Sequence, residues 1–181
     1  MSSKSLIRRL AAEAEAQAGE EYLRSADRAA LERLFALPEY AGAKTLLLYV
    51  GVGSEPDTAP LIERALREGK TVLLPRITGR GEMEAGEYTG TLRQGPFNIP
   101  EPEGRTFQPG ELDIILVPGA AFSPDFARLG RGGGYYDRYL PKTPGVRIAQ
   151  GRERLLRRDI PLCGHDALMD VLITETCTRR R

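Results

Sequence analysis

Hydrophobic and polar residues follow two different periods along this chain, which separates helical segments from strand segments. Residues 4–18, KSLIRRLAAEAEAQA, combine good helix formers in the pattern of an amphipathic helix. A second helix is predicted from Ser25 or Asp27, either of which can cap it, to about Leu37, before Pro38. The first part of the chain is therefore predicted to be helical.

Short apolar runs of strand length follow. They are TLLLYV, TVLLP, LDIILVP, VRIA and VLIT, at residues 45–50, 71–75, 112–118, 146–149 and 171–174. Each run is apolar throughout rather than alternating, which is typical of strands buried between two helical layers. These runs predict the strands of a central sheet.

The segment DTAPLIERALREG, between the first two runs, has the marks of a helix at both ends. Asp57 or Thr58 can cap it, Pro60 stands in its first turn, and Gly69 ends it. A strand, a helix and a second strand in this order indicate a crossover unit in a parallel sheet. Residues 79–110, rich in Gly, Pro and Glu, are predicted as loops with a small hairpin. An α/β sandwich follows from these patterns.

Composition and charge exclude some classes of protein. The chain carries 26 basic and 25 acidic residues, a net charge of +1, which gives no general electrostatic basis for binding nucleic acid or membranes. No run approaches the roughly 20 apolar residues of a membrane span, and the first helix lacks a hydrophobic signal core. Cys163 and Cys177 have no zinc-site spacing, which indicates reduced, packed thiols. We expect a soluble cytoplasmic protein.

The segment RLGRGGGYYDRYL, at 128–140, carries the candidate chemistry. It has four glycines in five positions and connects the most apolar strand run to a predicted helix. Ligands of open α/β sheets bind at the carboxyl ends of strands, and a glycine turn before a helix offers N–H groups to anions. Arg128 and Arg131 add positive charge. The segment is therefore a candidate phosphate-binding loop, and a purely structural turn is the alternative.

The standard nucleotide signatures are absent from this segment. A Walker loop needs Lys followed by Ser or Thr, and the dinucleotide pattern needs Gly where this chain has Tyr135. Asp137, just after the loop, has the oxygen chemistry that Mg²⁺ prefers, but it equally suits an exposed acid in the first turn of a helix. The residue types alone leave both alternatives open.

The glycine segment resembles the signature of the 5-formyltetrahydrofolate cyclo-ligase family, also called methenyltetrahydrofolate synthetases. The resemblance extends along the chain, through EPDT, LLPR, FNIPEP, LDIILVPGAAF and HDALMDVLITE. It implies ATP-dependent cyclisation of 5-formyltetrahydrofolate to 5,10-methenyltetrahydrofolate, with release of ADP and phosphate. It also implies one domain over 1–181, a monomer or weak dimer. The implied fold is a three-layer α/β/α sandwich with a mostly parallel sheet, like that of sugar-phosphate isomerases and CoA transferases.

The resemblance further implies a set of site residues. For ATP they are Lys4, Arg8, Arg128, Leu129, Gly130, Arg131, Gly132, Gly133, Gly134, Tyr135 and Tyr136. For the folate they are Val50, Glu55 and Tyr135, and for Mg²⁺ they are Asp137 and Asp166. Arg131 and Tyr136 are the implied catalytic residues.

Most of these positions also have a plain structural interpretation. Lys4 and Arg8 share one helical face by their spacing, yet a solvated basic face has the same spacing. Glu55 also suits a turn, and Asp166 suits a cap before the last strand. The two tyrosines also suit packing of the following helix. His165, the sole histidine, is not expected to be a general base, because water or phosphate can accept the proton released from N10.

The chain departs from the family pattern at several positions. Ser123 and Phe126 stand where the family usually has Asp and Gly, and Gly133 stands where some members have Lys. The segment at 150–159, QGRERLLRRD, is more basic than expected and aligns loosely. These departures leave open a paralogue acting on another formamide, and a non-catalytic folate- or RNA-binding module. A sugar-phosphate isomerase on the same fold would need no ATP.

Overall fold

The computed structural model describes residues 3–164 and 166–181, so His165 lies outside the described residues. The helices in this part of the chain are α1 (Ser3–Ala18), α2 (Glu20–Phe35), α3 (Pro38–Gly42), α4 (Ala59–Arg67) and α5 (Tyr135–Tyr139). The strands are β1 (Thr45–Leu47), β2 (Thr71–Gly79), β3 (Glu82–Glu87), β4 (Leu92–Gln94), β5 (Pro100–Pro102), β6 (Thr106–Phe107), β7 (Ile114–Leu116), β8 (Ala121–Phe122), β9 (Arg128–Leu129), β10 (Val146–Gln150), β11 (Val171–Ile173) and β12 (Thr178–Arg180).

Eight of these strands form one sheet, in the order β12-β11-β10-β7-β1-β2-β3-β6. The central strands, from β11 to β2, are parallel, and β12, β3 and β6 pair antiparallel at the edges. Each of the five apolar runs overlaps one of the parallel strands, and α4 connects β1 to β2. The predicted α/β fold with a mostly parallel sheet is confirmed.

Both faces of the sheet are covered, but unequally. On one face α2, α3 and α4 bury apolar side chains such as Leu34 and Leu61 against the strands. On the other face the short α5 contributes Tyr139, the turn after it contributes Leu140, and irregular segments complete the layer. Neighbouring residues of β1 point into these two cores, Leu46 into the first and Leu47 into the second. Burial on both sides explains why the strand runs do not alternate.

The second helix begins earlier than predicted. α2 starts at Glu20, directly after Gly19, which has a φ of 81°, and Ser25 and Asp27 lie inside the helix rather than at its cap. Two acidic residues in the first turn favour this start, because negative charge stabilises the N-terminal end of a helix. Asp27 instead forms an ion pair with Arg152, at 2.8 Å.

Residues 79–110 contain more strand than predicted. The β4–β5 hairpin confirms the predicted hairpin. The loop prediction is wrong for β3 and β6, which extend the main sheet beyond β2. They are hard to identify because β6 is only two residues long and β3 carries exposed or half-buried charged side chains such as Glu82 and Glu84 in place of an apolar run.

The first helix packs close to the glycine segment. Its two buried residues, Ile7 and Ala11, join Ala121 and Leu129 of the β8–β9 hairpin and Ile160 in one apolar cluster. This contact fixes α1 beside the strand that leads into the glycine segment. The basic residues in the first turns of α1 are thereby held near that segment.

Two properties concern the environment of the chain. In the part that the structure describes, no helix is long and apolar enough to cross a membrane. Both cysteines are free thiols; Cys177 is partly buried and Cys163 is exposed. The prediction of packed thiols is therefore wrong for Cys163.

A carboxylate links the segment after β10 to the last strands of the sheet. Glu153 accepts hydrogen bonds from Arg179 at 2.9 and 2.6 Å, and from the hydroxyls of Thr174 and Thr176 at 2.7 and 3.0 Å. These hydrogen bonds lower the pKa of Glu153 from 4.5 to about 2, and Arg179 has the largest effect.

Acid is therefore expected to weaken the fold partly through Glu153. A carboxyl whose pKa is lower in the folded state stabilises that state above pH 4.5, and the contribution is lost as the pH falls from 4.5 to about 2. The free energy of unfolding should fall more steeply in this window for the wild type than for Glu153→Gln. Urea titrations at several pH values measure both slopes, and equal slopes would contradict the expectation.

Candidate functional site

The glycines of the segment at 128–140 lie in a loop between β9 and α5, which we call the glycine loop. Gly132 has a φ of +112°, which residues with a β-carbon rarely adopt. A β-carbon on Gly133 would lie 2.5 Å from the Cε2 atom of Tyr135, so that ring packs directly on the loop backbone. A lysine at position 133 would therefore require Tyr135 to move. Gly132 therefore suits the backbone shape of the loop, and Gly133 leaves room for the Tyr135 ring, whatever the loop binds.

Arg128 and Asp137 form an ion pair beside the loop. The Arg128 side chain is only 4% exposed, and it donates to the Asp137 carboxylate and, at 3.0 Å, to the carbonyl of Pro118. Its Nε atom is buried without a hydrogen-bond partner among the described residues. A buried donor left unpaired costs about 1–3 kcal/mol. This unused donor fits a position at which a ligand supplies an acceptor.

Two basic residues of α1 reach the same region. Lys4 Nζ lies 2.7 Å from Oδ2 of Asp166, and Arg8 donates from Nε to the Gly130 carbonyl at 2.7 Å. The hydrogen bond to Asp166 raises the pKa of Lys4, and the charge of Asp137 adds to the rise. The structure therefore brings both cations and both aspartates together around the glycine loop.

A cavity of about 370 Å³ opens next to this loop. Loop residues, including Gly130 and Arg131, line it together with Val50, which follows β1, and Pro118, which follows β7. The cavity therefore lies at the carboxyl ends of central parallel strands, where open α/β sheets bind ligands. Its lining contains these predicted site residues: Val50, Glu55, Arg128, Gly130, Arg131, Gly133, Gly134, Tyr135, Tyr136 and Asp137.

The other predicted site residues lie around the cavity rather than in its lining. Lys4, Arg8, Gly132 and Asp166 stand on the α1 side of the loop, where Arg8 approaches Gly132. The side chain of Leu129 is buried in the cluster under α1. Only the backbone of Leu129 can therefore contact a ligand.

The carboxylate of Glu55 connects the loop after β1 to the glycine loop. Its side chain is 6% exposed; Oε1 accepts from Arg131 Nε at 2.7 Å, and Oε2 accepts from the Val52 N–H at 3.0 Å. The second bond closes a turn, which is the structural role that the sequence left open. The first bond joins the predicted folate residue to the predicted phosphate loop.

Tyr135 and Tyr136 have different surroundings. The Tyr135 ring lines the cavity and meets the Phe97 ring edge-on, with 6.4 Å between ring centres. The Tyr136 hydroxyl is buried with no hydrogen-bond partner in the described part of the chain. Burial raises the pKa of Tyr136, although the charge of Arg128 opposes this. Tyr136 therefore keeps its proton at neutral pH and can donate a hydrogen bond into the cavity.

Sequence reasoning assigned no role to several other residues of the cavity lining, among them Tyr49, Phe97 and Glu101. Phe97 lies between β4 and β5, is 73% exposed and has a φ of 60°. A left-handed backbone costs a residue with a β-carbon about 1–2 kcal/mol. The available signal was the stretch FNIPEP, which is part of the family resemblance and contains both Phe97 and Glu101. Tyr49 and Glu101 are buried, and Tyr49 lies in an apolar strand run that gives no sign of a binding role.

The unusual residues before the glycine loop form a tight turn between β8 and β9. Phe126 has a φ of +67°, which explains why glycine suits this position, and its N–H donates to the Ser123 carbonyl at 3.0 Å. The Ser123 hydroxyl accepts from the Asp125 N–H, also at 3.0 Å. Ser123 itself therefore makes the side-chain contact that closes the turn.

Asp137 and Asp166 are the candidate metal ligands near the loop. Among the residues that the structure describes, no three His, Cys, Asp or Glu side chains are grouped to hold a metal. Asp137 and Asp166 pair with Arg128 and Lys4, and Asp166 also accepts from the Cys163 N–H at 2.8 Å, as a turn cap does. Two carboxylates fit Mg²⁺ that arrives with a nucleotide, because this ion completes its shell with phosphate oxygens and water.

Known proteins resemble this chain over most of its length. A sequence model described as the 5-formyltetrahydrofolate cyclo-ligase family matches residues 1–175. A Mycolicibacterium smegmatis protein named 5-formyltetrahydrofolate cyclo-ligase is 38% identical over 142 residues, which are 72% of this chain and 73% of that protein.

Solved structures give the same result. The NMR structure of Aquifex aeolicus 5,10-methenyltetrahydrofolate synthetase has a TM-score of 0.87 and 33% identity, and the match covers 98% of this chain and 92% of that one. The 5,10-methenyltetrahydrofolate synthetase from Mycoplasma pneumoniae shares the fold, with a TM-score of 0.80 at 22% identity over 96% of this chain and 99% of the other. The chain therefore belongs to the 5-formyltetrahydrofolate cyclo-ligase family.

Proposed function

We propose that the protein is a 5-formyltetrahydrofolate cyclo-ligase that forms 5,10-methenyltetrahydrofolate at the expense of ATP. Membership of the family supports this activity. The observation that carries it is the ion pair between Glu55 and Arg131, at 2.7 Å, in the lining of one cavity. A carboxylate suited to a pterin and a glycine loop suited to phosphates thus lie side by side.

The chemistry explains why two ligands must meet. The formyl oxygen of 5-formyltetrahydrofolate attacks the γ-phosphorus of ATP, and the bond from that phosphorus to ADP breaks. This step converts the formyl group into an iminium phosphate, whose electrophilic carbon the N10 amine attacks. Phosphate departs with the former formyl oxygen, and the N10 proton passes to water or phosphate. Phosphoryl transfer depends chiefly on alignment and on neutralising charge.

The residues at the cavity have roles that follow from their contacts. Glu55 accepts hydrogen bonds from the amino-pyrimidinone edge of the pterin, which competes with its bond to Arg131. The guanidinium of Arg131 is thereby released toward the transferring phosphoryl group. The Tyr136 hydroxyl donates a hydrogen bond to the transferring phosphoryl group. Val50 and Tyr135 supply the pocket wall against which the pterin packs.

The nucleotide is held by residues of the glycine loop and of α1. The glycine loop and Arg128 bind its phosphates, and Lys4 and Arg8 approach from α1. Mg²⁺, when bound with the nucleotide, supplies charge neutralisation, and Asp137 and Asp166 would hold it. We further propose that the protein works in a reducing cytoplasm as a monomer or weak dimer, in keeping with its free thiols.

One assay tests the proposed activity. The protein is mixed with 5-formyltetrahydrofolate, ATP and Mg²⁺, and the near-ultraviolet absorbance of the methenyl product is followed together with ADP release. Both should rise in equal amounts. Nucleotide binding without methenyl formation would point to a paralogue with another formamide substrate. Absence of nucleotide binding in a folded sample would overturn the proposal.

Arg8→Ala is expected to raise the KM for ATP by about tenfold and to change the KM for the folate little, because Arg8 contacts the glycine loop at Gly130. The neighbouring variant Arg9→Ala is the matched control, since Arg9 pairs with Glu13 along the exposed face of α1. Steady-state kinetics with each substrate varied in turn gives both constants. Equal effects of the two variants would remove Arg8 from the nucleotide site.

A further inference from the structure

One buried arginine holds the loop that carries Glu55. Arg152 follows β10 in the basic segment at 150–159, and its side chain is only 5% exposed. It donates from Nε and Nη2 to the two carboxylate oxygens of Asp27 on α2, both at 2.8 Å, and from Nη1 to Glu15 on α1 at 3.0 Å. Nη2 also donates to the backbone carbonyl of Ser54 at 2.9 Å. One side chain thus connects two helices to one loop.

The contact with Ser54 bears directly on Glu55, which is the next residue. The Ser54 hydroxyl donates to Glu15 at 2.6 Å, so the loop is bound to this group from both its backbone and its side chain. The loop also contains Gly53, which has a φ of +62°. A turn with glycine and an exposed serine has little rigidity of its own, and the position of its carboxylate depends on such anchors.

We propose that Arg152 is a positioning residue for the folate site: it fixes the loop after β1 so that the carboxylate of Glu55 faces the cavity in the orientation that a pterin needs. This inference rests on the proposed function. Arginine suits the task because its planar fork serves Asp27, Glu15 and the Ser54 carbonyl at once, whereas a lysine ammonium cannot make the same paired contacts.

The alternative is that Arg152 only stabilises the packing of α1 and α2. The two roles separate when the ion pair is replaced as a unit. Removing Arg152 alone leaves the carboxylate of Asp27 without its partner, which destabilises any protein in which the pair is buried. The double variant Arg152→Met with Asp27→Leu removes the buried pair, and such apolar replacements are often neutral or stabilising. Glu15 also loses Arg152, but its side chain is 24% exposed and keeps the bond from the Ser54 hydroxyl. The double variant still lacks the bond from Arg152 to the Ser54 carbonyl.

The test compares Arg152→Met, the double variant and the wild type in melting temperature and in both KM values. The double variant should recover the melting temperature that the single variant loses, while its KM for 5-formyltetrahydrofolate stays about tenfold or more above the wild-type value. Its KM for ATP should change by less than about threefold. A double variant with the wild-type KM for the folate would overturn the proposal and leave Arg152 a purely structural role.

Two further measurements keep the outcome decisive. Arg179→Met is the matched control: Arg179 pairs with Glu153 beside Arg152, so this variant disturbs the same segment and should leave the KM for the folate unchanged. If the double variant does not fold, Arg152→Lys decides, because a single ammonium should still raise the KM for the folate. Wild-type protein without methenyl formation would overturn the proposed function itself, whereas active wild type with unaltered variants would overturn only the role of Arg152.

Discussion

Glu55→Gln should raise the KM for 5-formyltetrahydrofolate by about 10- to 100-fold, while the KM for ATP changes by less than about threefold. The carboxylate is 6% exposed, so its charge acts in a partly desolvated cavity. A hydrogen bond to a charged group contributes about 1.5–3 kcal/mol, and each 1.4 kcal/mol corresponds to a factor of ten. Glutamine keeps the shape of the side chain but has one neutral acceptor oxygen and an NH2 group that can only donate.

A matched control exists elsewhere in the chain. Glu111 accepts from the Gln108 N–H at 2.6 Å, with the same three-residue spacing as Glu55 and Val52, and it does not line the cavity. Glu111→Gln should leave both KM values unchanged. Steady-state kinetics with each substrate varied at saturation of the other gives the comparison. Equal increases in both constants for Glu55→Gln would make Glu55 a turn residue that shapes the whole site.

Asp137→Asn should lower the turnover number by at least about 100-fold, with the midpoint of thermal unfolding shifted by only a few degrees. The residue lines the cavity, pairs with the buried Arg128, and is one of the two proposed contacts of Mg²⁺. Asparagine can still accept the hydrogen bond from Arg128, so the local fold should persist. It lacks the negative charge that binds a divalent cation, so the turnover number should fall.

Metal and charge effects can be separated by measuring nucleotide binding directly. Calorimetric titration with ADP at increasing Mg²⁺ should give tighter binding in the wild type and little gain in Asp137→Asn. Asp159→Asn is the control, because Asp159 is an exposed partner of Arg157 at 2.7 Å. An Asp137→Asn variant with normal turnover and a normal response to Mg²⁺ would refute the proposed role of Asp137.

The general architecture was predictable because it depends on local patterns. Strands that are buried on both sides are largely apolar, and each of the five apolar runs overlaps a parallel strand. Strand β3 escaped prediction because it carries charged side chains in place of an apolar run, and β6 because it is only two residues long. The predicted start of α2 was wrong because Ser25 and Asp27 are good caps in isolation. In the structure Asp27 instead pairs with Arg152, far along the chain.

The candidate site divides in the same way. Glycines and charged residues in the segment at 128–140 indicated a candidate binding loop, because glycine lets a ligand approach the backbone closely and arginine adds positive charge. The partners of those charges could not be deduced: Arg131 pairs with Glu55, and Arg128 with Asp137. A basic segment such as 150–159 has the composition of an ordinary solvated surface, yet Arg152 within it is buried.

By itself the sequence determined the α/β class, the five parallel strands and the glycine loop, because hydrophobic period and backbone freedom are properties of neighbouring residues. Only the tertiary structure decided which charges meet, since Glu55 and Arg131 come together through the order of the strands rather than their spacing. The same holds for Arg152, whose partners lie on α1, α2 and the loop after β1. Long-range contacts between single side chains leave no periodic trace in a sequence, and the cavity is built from such contacts.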